Sequence, residues 1–338
     1  MCLSKEYVKG EKQLFEGLLV NILILIISLV ILNESSDLTI KNSVRVADIT
    51  GMGKTTVGFI LVAFSTSLPE LFVSVFAAIG QESIGVAIGN VLGSNIVNIC
   101  LILGVCFLLA VIKCPNYTSF YPNMAKEEIG SLYFGIFVAS VVPLILLYLG
   151  YASRFIGVVL LAIFIFYVYQ LSKIRKVKEE GALGEERQKL RLYVVLTLLG
   201  VAGVIVSSNF IVSSARFIAD SIGIPPVVIG STIVALGTSL PELATAVEAT
   251  KKGHLDLALG NIVGSCFINI TCILGTSLIT SSFIVNMVAF SKLAMFSLIV
   301  NLFLWYFLSS EKVSWRESAV LLFMYFVFLV VSFGGYET

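Results

Sequence analysis

Two glutamates sit in apolar sequence that would not ordinarily hold them. Glu70 falls within "STSLPELFVSV" at residues 65–75, and Glu242 within "GTSLPELATAV" at residues 237–247. A carboxylate at the centre of a membrane helix costs about 2.5–3.5 kcal/mol on insertion scales, so a duplicated one calls for a partner. On a helix Thr66 and Glu70 stand at i, i+4 and Ser67 and Glu70 at i, i+3, which brings all three toward one face; Thr238, Ser239 and Glu242 repeat the spacing. Each proline removes a backbone donor and crowds the preceding turn, which predicts carbonyls freed from the helical ladder near Ala63, Thr66, Ala235 and Thr238. Carboxylate, hydroxyl and carbonyl oxygens together form the all-oxygen shell that hard cations such as Ca2+ or Na+ take.

A second polar stretch follows each glutamate. Asn90, Ser94 and Asn98 step by four along an apolar segment, as do Asn261, Ser265 and Asn269. Gly89 with Gly93, and Gly260 with Gly264, give the small-residue spacing that lets membrane helices approach closely. Taken singly, such hydroxyls and amides commonly bond between helices. Duplicated beside two carboxylates, they make a candidate cation site of Glu70 and Glu242 with Thr66, Thr238, Ser67, Ser239, Asn90, Ser94, Asn98, Asn261, Ser265 and Asn269 beside them and the freed carbonyls near Ala63 and Ala235. Lys292 and Glu248 have no counterpart across the repeat and His254 lies in a short connection, so none of the three joins the set. Asp37 and its repeat partner Asn209 are expected to cap helix ends.

The elements that must position these residues are written twice. At an offset of 172 residues, 35–71 lies on 207–243 with an identical TSLPEL. At an offset of 171, "GNVLGSNIVNICLILG" lies on "GNIVGSCFINITCILG". Apolar runs long enough to span a bilayer, about 20 residues each, are expected at 17–33, 55–79, 85–111, 131–149, 154–172, 191–213, 226–249, 256–280, 283–307 and 316–334. Five spans separate equivalent points, and an odd number of crossings inverts the second copy. The expected fold is an all-α polytopic membrane protein of ten transmembrane helices, built as two inverted five-helix repeats with broken helices at the core. The first repeat covers 1–172, a loop 173–190 and the second repeat 191–338, with the duplicated motif regions at about 57–104 and 229–275. Inverted repeats meeting at interrupted helices are a recurrent plan for secondary transporters, since one central site can then be opened to either face.

Composition agrees with bilayer as the solvent: of 338 residues, 58% are hydrophobic and only 13% charged. No cleavage-site pattern follows the first apolar run, which reads as a retained anchor. Cys100, Cys106, Cys266 and Cys272 fall inside spans, with Cys2 and Cys114 outside, so neither a disulfide framework nor a CxxC metal pattern is expected. Nothing suggests nucleic acid, an enzymatic nucleophile–base set, a nucleotide loop or an obligatory protein partner, and no cofactor is implied. Basic residues orient the spans. With "SKIRKVKEEGALGEERQKLR" placed in the cytoplasm, 16 of the 22 Lys and Arg lie inside and five outside, which puts both termini outside the cell membrane.

At these residues the chain resembles the cation/Ca2+ exchanger superfamily, in particular its prokaryotic Na+/Ca2+ exchangers, whose repeats read TSxPE followed by GNxxGSN. Here those are TSLPE at 66–70 and 238–242, GNVLGSN at 89–95 and GNIVGSC at 260–266. The resemblance implies that Glu70 and Glu242 bind Ca2+ centrally with carbonyl oxygens of Thr66 and Thr238. It further implies Na+ sites drawing on Ala63, Thr66 and Ser94 toward one face and on Ala235, Thr238 and Ser265 toward the other, with Ser67, Ser239, Asn98 and Asn269 completing the middle. Two departures stand out. Cys266 replaces the motif's last Asn, a change expected to lie outside the direct ligands, and Asn269 stands where K+-dependent relatives have Asp, which argues against K+ dependence.

The expected function is a secondary antiporter exchanging Na+ for Ca2+ by alternating access. One Ca2+ neutralises two ionised glutamates, whereas three Na+ leave one positive charge, so a three-for-one exchange is electrogenic. Two protons also neutralise two glutamates, which keeps Ca2+/H+ exchange, or exchange of another divalent cation for H+, as the alternative. The family's proton exchangers are similar to a GNxxE pattern that this chain lacks. A cation channel, selecting through carboxylates, is the rival from a different class and fits proline-broken inverted helices less well.

Overall fold

The computed structural model describes residues 17–35, 37–38, 41–42, 45, 64–80, 84–113, 126–173, 189–251, 253, 255–281, 283–284, 287–310 and 314–334. Ala63, Cys2, Cys114, His254 and most of the 173–190 loop lie outside the described residues. The helices are α1 Gly17–Ser35, α2 Leu68–Ile79, α3 Ile84–Lys113, α4 Lys126–Leu149, α5 Arg154–Lys173 and α6 Leu190–Ile222. Then come α7 Pro226–Thr238 and α8 Leu240–Lys251, α9 Leu255–Thr280, α10 Met287–Ser310 and α11 Trp315–Gly334. Among the described residues seven helices are long and apolar enough to cross a membrane, and an eighth span is the α7–α8 pair, bent by 46°. The short apolar helices α2 and α5 occupy the places of the expected second and fifth spans; residues 55–63 of the second lie outside the described residues.

Polarity is distributed inside out, as it must be where lipid is the solvent. Leu23, Ile26, Ile27 and Val30 of α1, Phe155 and Ile165 of α5, and Phe323 and Phe326 of α11 are exposed, while Glu70, Glu242, Asn90, Asn98 and Asn269 are buried. One apolar core joins α3, α4, α5, α9, α10 and α11. A second, smaller one packs α1 and α2 against α6 and the start of α3.

Several expected boundaries move: the fourth span begins at Lys126 instead of 131, and two other shifts have a visible cause. The sixth span runs on to Ile222 instead of ending near 213, because Ala215, Ile218 and Ala219 continue its buried face while Arg216 and Asp220 pair at i, i+4 on the outer one. It ends at Gly223, whose φ of 69° suits glycine at a helix C-terminus. Asn209 consequently lies mid-helix and exposed, with its carbonyl accepting from the Ser213 hydroxyl, so the expected capping role is corrected. The ninth span begins at Met287, since Phe283 and Ile284 form strand β2, antiparallel to β1 at Tyr151–Ala152.

That strand pair constrains topology. It joins the connection before α5 to the one after α9, which requires an even number of crossings between them. With α5 counted as the expected fifth span, α5, α6, the bent α7–α8 and α9 supply four, which is consistent with α7–α8 as one broken span. The Lys113 ammonium donates to the Lys251 carbonyl at 2.6 Å, joining the ends of α3 and α8 across another four: α4, α5, α6 and α7–α8.

Candidate cation-binding site

The breaks beside the two glutamates have the same geometry. Ser67, before α2, has φ −85° and ψ 6°. Ser239, between α7 and α8, has φ −84° and ψ 9°. Both lie in the sparsely populated bridge region common at functional sites, one residue before a Leu-Pro pair that starts the next helix. Wider π-type turns, frequent where helices serve function, occur at Gly230–Val234, at Val97–Leu103 around Asn98 and at Asn269–Ile273.

These breaks turn each serine toward the opposite repeat. Ser67 Oγ donates to Glu242 Oε1 at 3.2 Å, and Ser239 Oγ donates to Glu70 Oε1 at 3.0 Å. Ser265 Oγ lies 3.4 Å from Glu242 Oε1. Both glutamates are buried. In each carboxylate Oε1 is engaged while Oε2 has no hydrogen-bond partner, and Ser94 Oγ, both polar atoms of Asn98 and Asn269 Oδ1 are likewise buried without one. Buried polar atoms are normally satisfied, so two buried carboxylates, each with an oxygen that no donor meets, are chemically suited to a cation.

The structure thus joins Ser67 and Ser265 to Glu242 and Ser239 to Glu70; Thr66 and Thr238, Ser94 and Asn98 on α3, and Asn269 on α9 are buried as well. The Ala235 carbonyl accepts from Ser239 N at 3.1 Å and from the Thr238 hydroxyl at 3.2 Å, so in this conformation it is engaged within its own helix. Pro241 supplies no N–H to the Gly237 carbonyl four residues earlier.

The motif asparagines divide by role. Asn90 ties its surroundings: its amide donates to Ser74 Oγ at 2.9 Å and to the Glu70 carbonyl at 3.3 Å, and its oxygen accepts from Thr238 Oγ1 at 3.1 Å. Its counterpart Asn261 has neither amide atom partnered, in keeping with Ala246 standing where the first repeat has Ser74. Gly89 and Gly93 meet the backbone of Val227 and Ser231 so closely that a Cβ on either would collide with it, and this crossing holds α3 against α7. Gly260 has open space among the described residues.

Sequence reasoning missed Ser74, whose signal was its place one turn beyond Glu70. It also missed Ser297 and Asn301 on α10, buried and with side-chain polar atoms lacking partners; their i, i+4 spacing in "SLIVN" was the available sign. The cysteines 100, 106, 266 and 272 are buried free thiols, as expected for packing residues.

The model of the sodium/calcium exchanger protein family matches residues 20–173 and 192–334. The sodium/calcium exchanger MaX1 of Methanosarcina acetivorans is 32% identical over 360 residues, covering 93% of this chain and 99% of that protein. The inner membrane protein YrbG of Escherichia coli is 30% identical over 279 residues, covering 80% of this chain and 82% of its own length. Among solved structures, the sodium-calcium exchanger NCX_Mj aligns with a TM-score of 0.63 at 27% identity, over 92% of this chain and 98% of that one. The H+/Ca2+ exchanger CAX aligns with a TM-score of 0.78 at 20% identity, over 92% and 82%, a likeness of fold alone.

Proposed function

The chain belongs to the sodium/calcium exchanger family, and from that premise we propose that it is an antiporter exchanging Na+ for Ca2+ by alternating access, electrogenically and without K+. The observation that carries this reading is the crossed pair of hydrogen bonds, Ser67 to Glu242 and Ser239 to Glu70. It sets two carboxylates from opposite repeats around one centre, each with a second oxygen lacking a partner.

Ca2+ takes six to eight oxygens and tolerates mixed carboxylate, hydroxyl and carbonyl ligands. In the proposal Glu70 and Glu242 hold it with Thr66 and Thr238. Na+ occupies flanking positions supplied by Ala63, Thr66 and Ser94 on one side and by Ala235, Thr238 and Ser265 on the other, with Ser67, Ser239, Asn98 and Asn269 in the middle. Because Na+ and Ca2+ compete for the same carboxylates, an occupied site is near neutral and an empty one carries two buried negative charges. The empty site is therefore costly to occlude, which couples the two fluxes. In the membrane the 173–190 loop is cytoplasmic and both termini lie outside.

The second reading is Ca2+/H+ exchange, favoured by the fact that two protons also neutralise two carboxylates. The deciding experiment is radiolabelled Ca2+ uptake into proteoliposomes loaded with Na+ and diluted into Na+-free buffer, with a protonophore present. Uptake that needs internal Na+ and survives the protonophore is the expected result. Uptake that ignores Na+ and follows an imposed pH gradient would replace this reading with the second.

A further inference from the structure

Asn95 is a motif residue outside the site just described, and its contacts define a direction. Its Nδ2 lies 3.4 Å from the Cys266 carbonyl, an atom that can only accept. That fixes the amide: Asn95 must present Oδ1 on its other side, and an amide oxygen can only accept in turn. The group it faces is Asn269, whose Nδ2 donates at 3.0 Å. Asn269 Oδ1 is then turned away from Asn95 and is buried without a partner. Asn269 is one helical turn beyond Ser265, whose hydroxyl touches Glu242, so this oxygen belongs to the helix face that lines the carboxylates.

The mirror image of this chain is broken. Cys266 takes the place of Asn95 in the second repeat and Asn98 that of Asn269. The Cys266 thiol reaches back to the Asn95 carbonyl at 4.0 Å and lies beside Asn98. A thiol is a weak donor and a weak acceptor, and both polar atoms of Asn98 are left without a hydrogen-bond partner. One half of the site therefore holds its amide with the oxygen outward, while in the other half a thiol, a weak partner for an amide in either orientation, stands beside Asn98.

We propose that Asn95 is a positioning residue that locks Asn269 with its amide oxygen presented as a ligand, and that it thereby sets affinity for the monovalent counter-ion and not for Ca2+. The inference rests on the Na+/Ca2+ reading. In that reading Ca2+ is held by the two carboxylates with Thr66 and Thr238, Asn269 not among them, whereas the additional monovalent ions of an exchange cycle need further neutral oxygens held in place beforehand. Asn269 supplies one without adding charge. Asn95 touches no ion itself; it acts by removing the orientation in which the Asn269 amide would offer a hydrogen atom to a cation.

The test measures half-saturating Na+ and Ca2+ for exchange in the parent, Asn95→Cys, Asn269→Ala and the double variant. Asn95→Cys is expected to raise half-saturating Na+ about fivefold, the loss of one ordinary hydrogen bond, with Ca2+ unchanged within about twofold. Asn269→Ala is expected to raise it at least as far, and the double variant no further than Asn269→Ala alone, because Asn95 acts only through Asn269. Equal shifts for Na+ and Ca2+, or full additivity in the double variant, would overturn the proposal while leaving Na+/Ca2+ exchange standing. A parent whose uptake ignores Na+ would overturn both. Should Asn95→Cys fail to purify as folded protein, Asn95→Ser replaces it. Should a folded variant fail to transport, the Na+-dependent rise in melting temperature of the purified protein reads the same coupling.

Discussion

Ser239 donates its hydroxyl to Glu70 at 3.0 Å across the boundary between the two repeats, and the reciprocal bond from Ser67 to Glu242 makes each half hold the other's carboxylate. The serine hydroxyls are therefore orienting groups, and the carboxylates carry the charge. Ser239→Ala and Ser67→Ala should each weaken Ca2+ uptake without abolishing it. Loss of a hydrogen bond to a charged acceptor is worth about 1.5–3 kcal/mol, or roughly a ten- to hundredfold rise in half-saturating Ca2+. A saturation curve for each variant checks this, and an unchanged curve in both would separate the crossed bonds from substrate binding.

Removing charge should do more. Glu70→Gln and Glu242→Gln keep shape and burial but leave one carboxylate for a divalent ion, so exchange should fall to the level of empty liposomes in either variant. Both proteins should still insert and purify, since a neutral amide is less costly in the membrane interior than a carboxylate. Retained uptake in either would remove that glutamate from the site.

Close backbone approach at the α3–α7 crossing gives a stability prediction. A Cβ at Gly93 would strike the backbone of Ser231, which cannot swing aside as a side chain can. Gly93→Ala and Gly89→Ala should each cost about 1–3 kcal/mol by overpacking and lower the melting temperature of the purified protein. Gly260→Ala, with open space among the described residues, should leave it unchanged.

Much of this was legible in the sequence because the residues that matter there are the ones that physics makes rare. A carboxylate with a proline one residue before it, repeated at a fixed offset inside apolar runs, singled out Glu70 and Glu242, which are buried, and i, i+4 spacing singled out Ser265, whose hydroxyl lies 3.4 Å from Glu242. The partners of those residues were not legible. Helical spacing sets Ser67 beside its own Glu70, yet the break at Ser67, with φ −85° and ψ 6°, turns its hydroxyl to Glu242. Spacing treats Asn90 and Asn261 alike, whereas Ser74 and Thr238 engage Asn90 and Asn261 has no partner. The β1–β2 pair was hidden because Phe283 and Ile284 are as apolar as the helix that follows them.

That strand pair carries the last prediction, on topology. Tyr151 and Ile284 are paired residues of adjacent strands, so the connections that hold them share one side of the membrane, opposite to the side reached after the odd crossing of α5. With "SKIRKVKEEGALGEERQKLR" rich in Lys and Arg, the basic-residue bias predicts a cytoplasmic loop. A reporter inserted after Lys176 should therefore read cytoplasmic. Cysteines placed at Tyr151 and at Ile284 should both be labelled by an impermeant thiol reagent added to intact cells, in a background without other cysteines. Labelling at one position and protection at the other would break the even-crossing argument, and with it the treatment of α7–α8 as a single broken span. Protection at both, with an external reporter signal after Lys176, would keep that argument and invert the orientation.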